Sequence, residues 1–168
     1  MLVLKKNNIP NLISRFKALN KSRIQVGYFQ ENGIHPSGLT FSGLYAIHAF
    51  GSASANIPQR DPLVDNFTIW NPLHKNITIK TQLKLYFSNI KSKTPRVKVT
   101  TMLSKIAGDY VQSTRVVFGD ESKLTPNAAF TKYIKERSGK NPDSPLIWDG
   151  TLRDNLSYKI NGQNIITP

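Results

Sequence analysis

The chain has 168 residues and no cysteine, which excludes a disulfide framework and any thiolate metal site. Twenty-three Lys and Arg oppose 10 Asp and Glu, a net charge of +13 that invites polyanionic or acidic partners. The length suits one domain with an ordinary core; no apolar run approaches a membrane span, and Met1-Leu2-Val3-Leu4-Lys5-Lys6 carries its charges after its short apolar stretch. A soluble protein without leader or membrane segment is expected.

Pro10 to Asn20 sets Leu12, Ile13, Phe16 and Leu19 at helical spacing, with Pro10 tolerated in a first turn. Arg23 to Phe29 alternates and predicts a strand with Ile24, Val26 and Tyr28 on one face. Residues 30–39 hold Asn32-Gly33 and Pro36-Ser37-Gly38 and read as a mobile loop. Thr40 or Ser42 then caps a helix through His48, ended by Gly51, with Leu44, Ile47, His48 and Phe50 on its apolar side. Residues 52–62, with Pro58, Pro62 and several small residues, read as an extended arm or sheet edge.

Asn71-Pro72 has the form of a cap and first-turn proline, opening a basic helical segment over about 71–105 that Lys91 to Pro95 interrupts. A helix from Val99 carries Met102, Leu103, Ile106, Tyr110 and Val117 on one stripe, with Gly108 expected at a close packing contact. Thr125-Pro126 predicts another start, for a helix bearing Ala129, Phe130, Tyr133 and Ile134. Pro145 to Trp148 reads as a short strand before the Asp149-Gly150 turn. Leu156 to Ile160 and the segment after Asn161-Gly162 read as a hairpin. Tight turns join antiparallel strands, so the expected fold is α+β in a single domain, 1–168. A small antiparallel sheet with the C-terminal hairpin would be packed by several α-helices.

No acidic residue falls between Asn66 and Gly108, where Lys75, Lys80, Lys84, Lys91, Lys93, Arg96, Lys98 and Lys105 accumulate. Such a stretch attracts phosphate or an acidic protein surface, or is simply a solvated face. Trp70, Tyr86 and Phe87 flank it as base-stacking or core residues. His35, His48 and His74 lie far apart, and no phosphate loop or nucleophile elbow is present, so neither cofactor nor catalysis is expected. The alternative is a basic nucleic-acid-binding protein or a Mg²⁺-dependent nuclease, the latter on Asp109 followed by Glu121-x-Lys123. Leu146, Trp148 and Leu152 read as core or interface anchors, and Arg60 and Arg153 as partners of a carboxylate such as Asp149 or Asp154.

Three passages carry a resemblance. Tyr45-Ala46-Ile47-His48-Ala49-Phe50-Gly51-Ser52 leads into Ile57-Pro58-Gln59-Arg60-Asp61-Pro62-Leu63. Leu124-Thr125-Pro126-Asn127 leads through Lys140 to Pro145. The third runs from Pro145-Leu146-Ile147-Trp148-Asp149-Gly150 through Leu152-Arg153 to Tyr158. Their order and separation resemble the tail-completion proteins of tailed bacteriophages, the neck or head–tail joining class. Asp61 is inserted between Arg60 and Pro62, and Trp148-Asp149 replaces the more usual Asp-Thr. The resemblance implies a non-catalytic virion protein at the neck or tail top, assembled in the host cytoplasm into a homo-oligomeric ring, a hexamer by preference. It implies head–tail connector or portal-side proteins and tail terminator or tube proteins as partners, with packaged DNA in the channel and no membrane. The interface or structural residues it singles out are Phe50, Gly51, Ile57, Pro58, Arg60, Pro62, Leu146, Trp148, Gly150, Leu152, Arg153 and Tyr158. Residues 30–39 and 52–62 are expected to order on assembly.

Overall fold

The computed structural model describes residues 7–165. Its helices are α1 (Ile9–Asn20), α2 (Phe41–Phe50), α3 (Pro62–His74), α4 (Lys80–Phe87), α5 (Val99–Val117), α6 (Ala129–Arg137) and the short α7 (Thr151–Asp154). Its strands, β1 (Ile24–Gly27), β2 (Ser157–Ile160) and β3 (Gln163–Ile165), form one antiparallel sheet in the order β1-β2-β3. Val26 lies opposite Tyr158, and Tyr158 opposite Ile165. The β2–β3 turn places Asn161 (φ 53°) and Gly162 (φ 82°) in the left-handed region, the primed turn whose twist matches the strands it joins. The fold is α+β, as the turn chemistry predicts.

The long helix α5 supplies the centre of the core. Met102, Leu103, Ala107 and Val111 pack with Tyr86 of α4 and with Leu156, Tyr158 and Ile160 around β2. A smaller cluster of Phe41, Phe118 and Leu152 joins α2, the end of α5 and α7. Tyr28 bridges the two clusters and donates its hydroxyl to the Leu152 carbonyl at 2.7 Å. Gly108 departs from expectation. A Cβ built there meets nothing within 4 Å, so the glycine faces open space and marks no packing contact.

Other elements start or face differently from their local signals. Asp61 opens α3, its Oδ1 accepting from the Leu63 and Val64 amides at 3.1 Å, with Pro62 in the first turn. Asn71-Pro72, the expected start, is therefore interior to α3, and the helix passes through a π-helical stretch, Lys75–Ile79, into α4. Proline cannot donate to the preceding turn, and a widened turn nearby is a common accommodation. α2 buries Phe41 and Ala49 and leaves Ile47 and Phe50 outward. α6 begins at Ala129 and exposes Phe130, Tyr133 and Ile134, while its buried residue is Lys135.

The expected arm at 52–62 is folded rather than extended over its first half. Ser52 and Ile57 exchange backbone bonds of 2.8 and 2.9 Å across a tight turn with Asn56 at φ 52°. Gly51 is required there, since a Cβ would stand 2.9 Å from both Gln59 N and Ile57 O. Residues 30–39 contain a 3₁₀ turn, Gln30–Asn32, fastened by Asn32 Nδ2 donating to Asn155 O and to Ser157 Oγ. Pro145 to Trp148 forms no strand, and Leu146 sits at φ 62°.

Arg15 ties α1 to the remainder. Its side chain is 2% exposed, and its guanidinium donates to the carbonyls of Tyr86, Ser88, Asn89 and Ser92 at 2.8–3.1 Å. These carbonyls lie at the end of α4 and in the turn beyond it, where that of Asn89 also accepts the Ser92 amide. Tyr86 returns its hydroxyl to the Arg15 carbonyl at 3.1 Å, and Phe16 packs on Phe87, the rings tilted by 39° with centroids 4.8 Å apart. Arg15→Met is expected to cost about 3 kcal/mol in denaturant unfolding, because buried carbonyls lose their donor. Gly108→Ala is expected to raise stability by up to about 1 kcal/mol by the same measurement.

Candidate functional site

A cleft of about 370 Å³ opens between α2, the turn at 52–57, the start of α6 and the segment 146–152. Its walls contain long irregular stretches, and three buried polar side chains hold them. Arg60, 7% exposed, donates Nε to the Thr125 carbonyl and Nη2 to the Pro126 carbonyl, both at 2.6 Å. These bonds keep Thr125-Pro126 extended, which is why α6 starts three residues later than its cap-like signal suggests. Lys135, 4% exposed, donates Nζ to the carbonyls of Ser144 at 2.5 Å and Ile147 at 2.6 Å. Asn127 donates Nδ2 to the Pro142 carbonyl at 2.8 Å.

Burial pushes both cations below their ordinary pKa values, and the charge of Arg60 adds to the effect on Lys135. Glu121 works in the opposite direction on both, but its carboxylate already pairs with Lys132 at 2.9 Å. His48 lines the same cleft, its Nδ1 buried without a hydrogen-bond partner. Burial first, and Arg60 second, push its imidazole below the ordinary 6.5.

Half of the motif residues meet here. Ile57, Pro58 and Arg60 face Leu146, Trp148 and Leu152 around one cavity, although the two groups are far apart in sequence. Phe50 is 82% exposed beside it, and Gly51 permits the turn that follows. Trp148 is a rim residue rather than a buried anchor, at 48% exposure. Gly150, at φ 86°, starts α7. Arg153 pairs with Asp154 at 2.7 Å, whereas Asp149 accepts the Thr151 amide at 2.9 Å. Pro62 and Tyr158 lie in the packing of α3 and of the main core. Arg60 binds backbone carbonyls in place of the expected carboxylate.

The basic residues of the 75–105 segment lie outside this cleft. Lys80, Lys84, Lys91, Lys93, Arg96, Lys98 and Lys105 are all exposed, and none joins an ion pair among the described residues. The Lys75 side chain lies outside the described residues. α1, locked to α4 by Arg15, adds exposed Lys17 and Lys21 to this side. The aromatic residues are not offered for stacking: Trp70 and Tyr86 are buried, and Phe87 packs against the core.

Asp109, Glu121 and Lys123 have different partners. Asp109 accepts from Trp70 Nε1 at 2.9 Å and pairs with His74 Nδ1 at 2.7 Å. Lys123 pairs with Asp120 at 2.6 Å, and about 12 Å of helix separates Asp109 from the end of α5. Among the described residues no three His, Asp or Glu side chains gather as metal ligands, and no helix is long and apolar enough to cross a membrane. No protein-family model, curated protein or solved structure matches this chain. Lys135 and Arg15 carried no sequence signal, since a lone cation in a polar-looking segment reads as solvent-facing, and Asn127 stood out only as the last residue of the Leu124–Asn127 passage.

A pH dependence follows from His48. Its folded form resists protonation, so on acidification the unfolded chain binds the proton first and stability falls below pH 6.5. In His48→Gln the loss between pH 7 and pH 5 is expected to shrink, read from melting temperatures across that window.

Proposed function

We propose that this chain is a structural subunit of a tailed-phage neck, a tail-completion protein that assembles into a ring and joins the tail to the head connector. The carrying observation is the convergence of two of the three family-like passages on one cleft, Ile57-Pro58 and Arg60 facing Leu146, Trp148 and Leu152. Large apolar side chains have no cover in the single chain: Trp148 on the cleft at 48% exposure, and Phe50 of α2 and Phe130 of α6, outside its lining, at 82% and 74%. Aromatic groups in contiguous exposed patches are what interfaces bury. In this reading the cleft rim meets a different surface of the next copy, and such a head-to-tail contact closes into a ring when its rotation permits. The work is geometric and assigns no catalysis. The basic face then lies against DNA in the channel or an acidic surface on an adjoining ring.

The mass of the purified protein in solution, joined to electron microscopy, tests the ring. A discrete closed oligomer is expected, and Phe130→Asp with Trp148→Asp should reduce it to monomers with an unchanged circular dichroism spectrum. A native chain that stays monomeric at every accessible concentration would overturn the ring.

The unpaired basic face favours a second reading, a nucleic-acid-binding protein that acts without a ring. Lys80, Lys84 and Lys91 changed together to Glu should alter folding stability by less than about 0.5 kcal/mol each. Duplex DNA binding that weakens steeply with salt in the native chain, and disappears in this variant, is the expected result. Equal binding by both proteins would leave the face as a solvated surface.

A further inference from the structure

The cavity holds an electrostatic imbalance that its own residues leave in place. Arg60 and Lys135 line it, and their hydrogen bonds run to neutral carbonyls, which satisfy donors without supplying a negative charge. Cations withdrawn from water are costly until a counter-charge reaches them. Glu121, the acid that favours their charged forms, is not part of the lining and pairs with Lys132, and the lining carboxylate, Asp149, sets one negative charge against two positive ones, which leaves an excess of one. The remaining walls mix His35, Ser37, Asn56 and Thr131 with apolar side chains, Leu44, Ile57 and Leu146 among them, and Trp148 stands at the mouth.

We infer that this cleft is a binding site for a carboxylate carried on an apolar body, its anionic end beside Arg60 and Lys135 and its apolar end against Leu44, Ile57 and Leu146. The volume, about 370 Å³, falls within the range of small-ligand sites. A single negative charge suits the site better than a phosphate dianion, because Asp149 also lines it and the walls are mainly hydrocarbon. The carboxylate belongs either to a free small acid or to the end of a protein chain. The inference rests on the cavity and stands apart from the ring reading.

Trp148 fluorescence provides the readout, with Trp70 buried elsewhere as a constant background. The intact protein is titrated with 4-phenylbutyrate and with 4-phenylbutyramide, then with one apolar tetrapeptide as free acid and as amide. Each acid is expected to bind at least about tenfold more tightly than its amide, since only the acid makes charge-assisted bonds. Tighter binding of the tetrapeptide acid assigns the site to a chain terminus, and tighter binding of phenylbutyrate to a small molecule; either supports the site. Thr131→Phe, a substitution at an exposed residue of the cleft wall, should weaken acid binding at least about tenfold while leaving the melting curve in place. Acid and amide binding equally, no saturable change up to about 10 mM acid, or undiminished binding in Thr131→Phe would each overturn the inference.

Discussion

Backbone carbonyls outside helices and strands must find donors, and in this molecule buried cations provide them. The sheet is short, and long stretches at 88–98, 120–128 and 138–150 run without regular structure. Every carbonyl they bury needs a partner. Arg15 serves three such carbonyls and that of Tyr86 in the last turn of α4, Arg60 two and Lys135 two. A neutral amide side chain has only two donor hydrogens and one carbonyl of its own to satisfy, whereas guanidinium and ammonium groups are donors throughout. Long cationic side chains also reach from a helix into a neighbouring turn, as α1 does to the end of α4.

That arrangement connects the stability of the fold to the form of the cleft. Arg60 and Lys135 fix opposite parts of one wall, 125–126 and 144–147, and Leu146 in its left-handed conformation depends on the second of them. With Lys135 turned inward, the other side of α6 carries Phe130 and Tyr133 into solvent. The exposed aromatic face and the buried cation are therefore one feature: a helix rotated so that its ammonium, and not its aromatic face, meets the interior. An aromatic face left outward by such a rotation remains available for another surface.

Much of the fold was legible because its signals are local. Thr40 and Gly51 bound α2, the apolar stripe marks α5, and Asn161-Gly162 specifies the hairpin. Where local signals compete, the sequence is ambiguous. Asp61-Pro62 and Asn71-Pro72 have the same cap-and-proline form, and the choice between them falls to tertiary packing: Tyr45 bonds to Asp61, while Trp70 is buried against α5 through Tyr110 and Asp109. Thr125-Pro126 fails as a helix start for a similar reason, its carbonyls being taken by Arg60. The cleft was less legible still. Its motif residues are readable as two groups, but their meeting depends on Lys135 and Asn127, residue types whose usual place is the surface.

The division of charge gives the molecule two faces with different physics. Residues 1–108 hold 15 of the 23 Lys and Arg but 3 of the 10 Asp and Glu, so the acids concentrate where the ion pairs of Asp120, Glu121, Asp143 and Asp154 lie. On the α1–α4 side cations stand free in water, where each costs little and together they project a long-range field that salt screens. At the cleft the cations are few but desolvated, so an anion there would be felt strongly and only at contact distance. A partner drawn by the first face need not be the one that fits the second. In the readings proposed above, the first face would recruit polyanions through its field, and the second would select by fit, through the position of one negative group among mainly apolar walls.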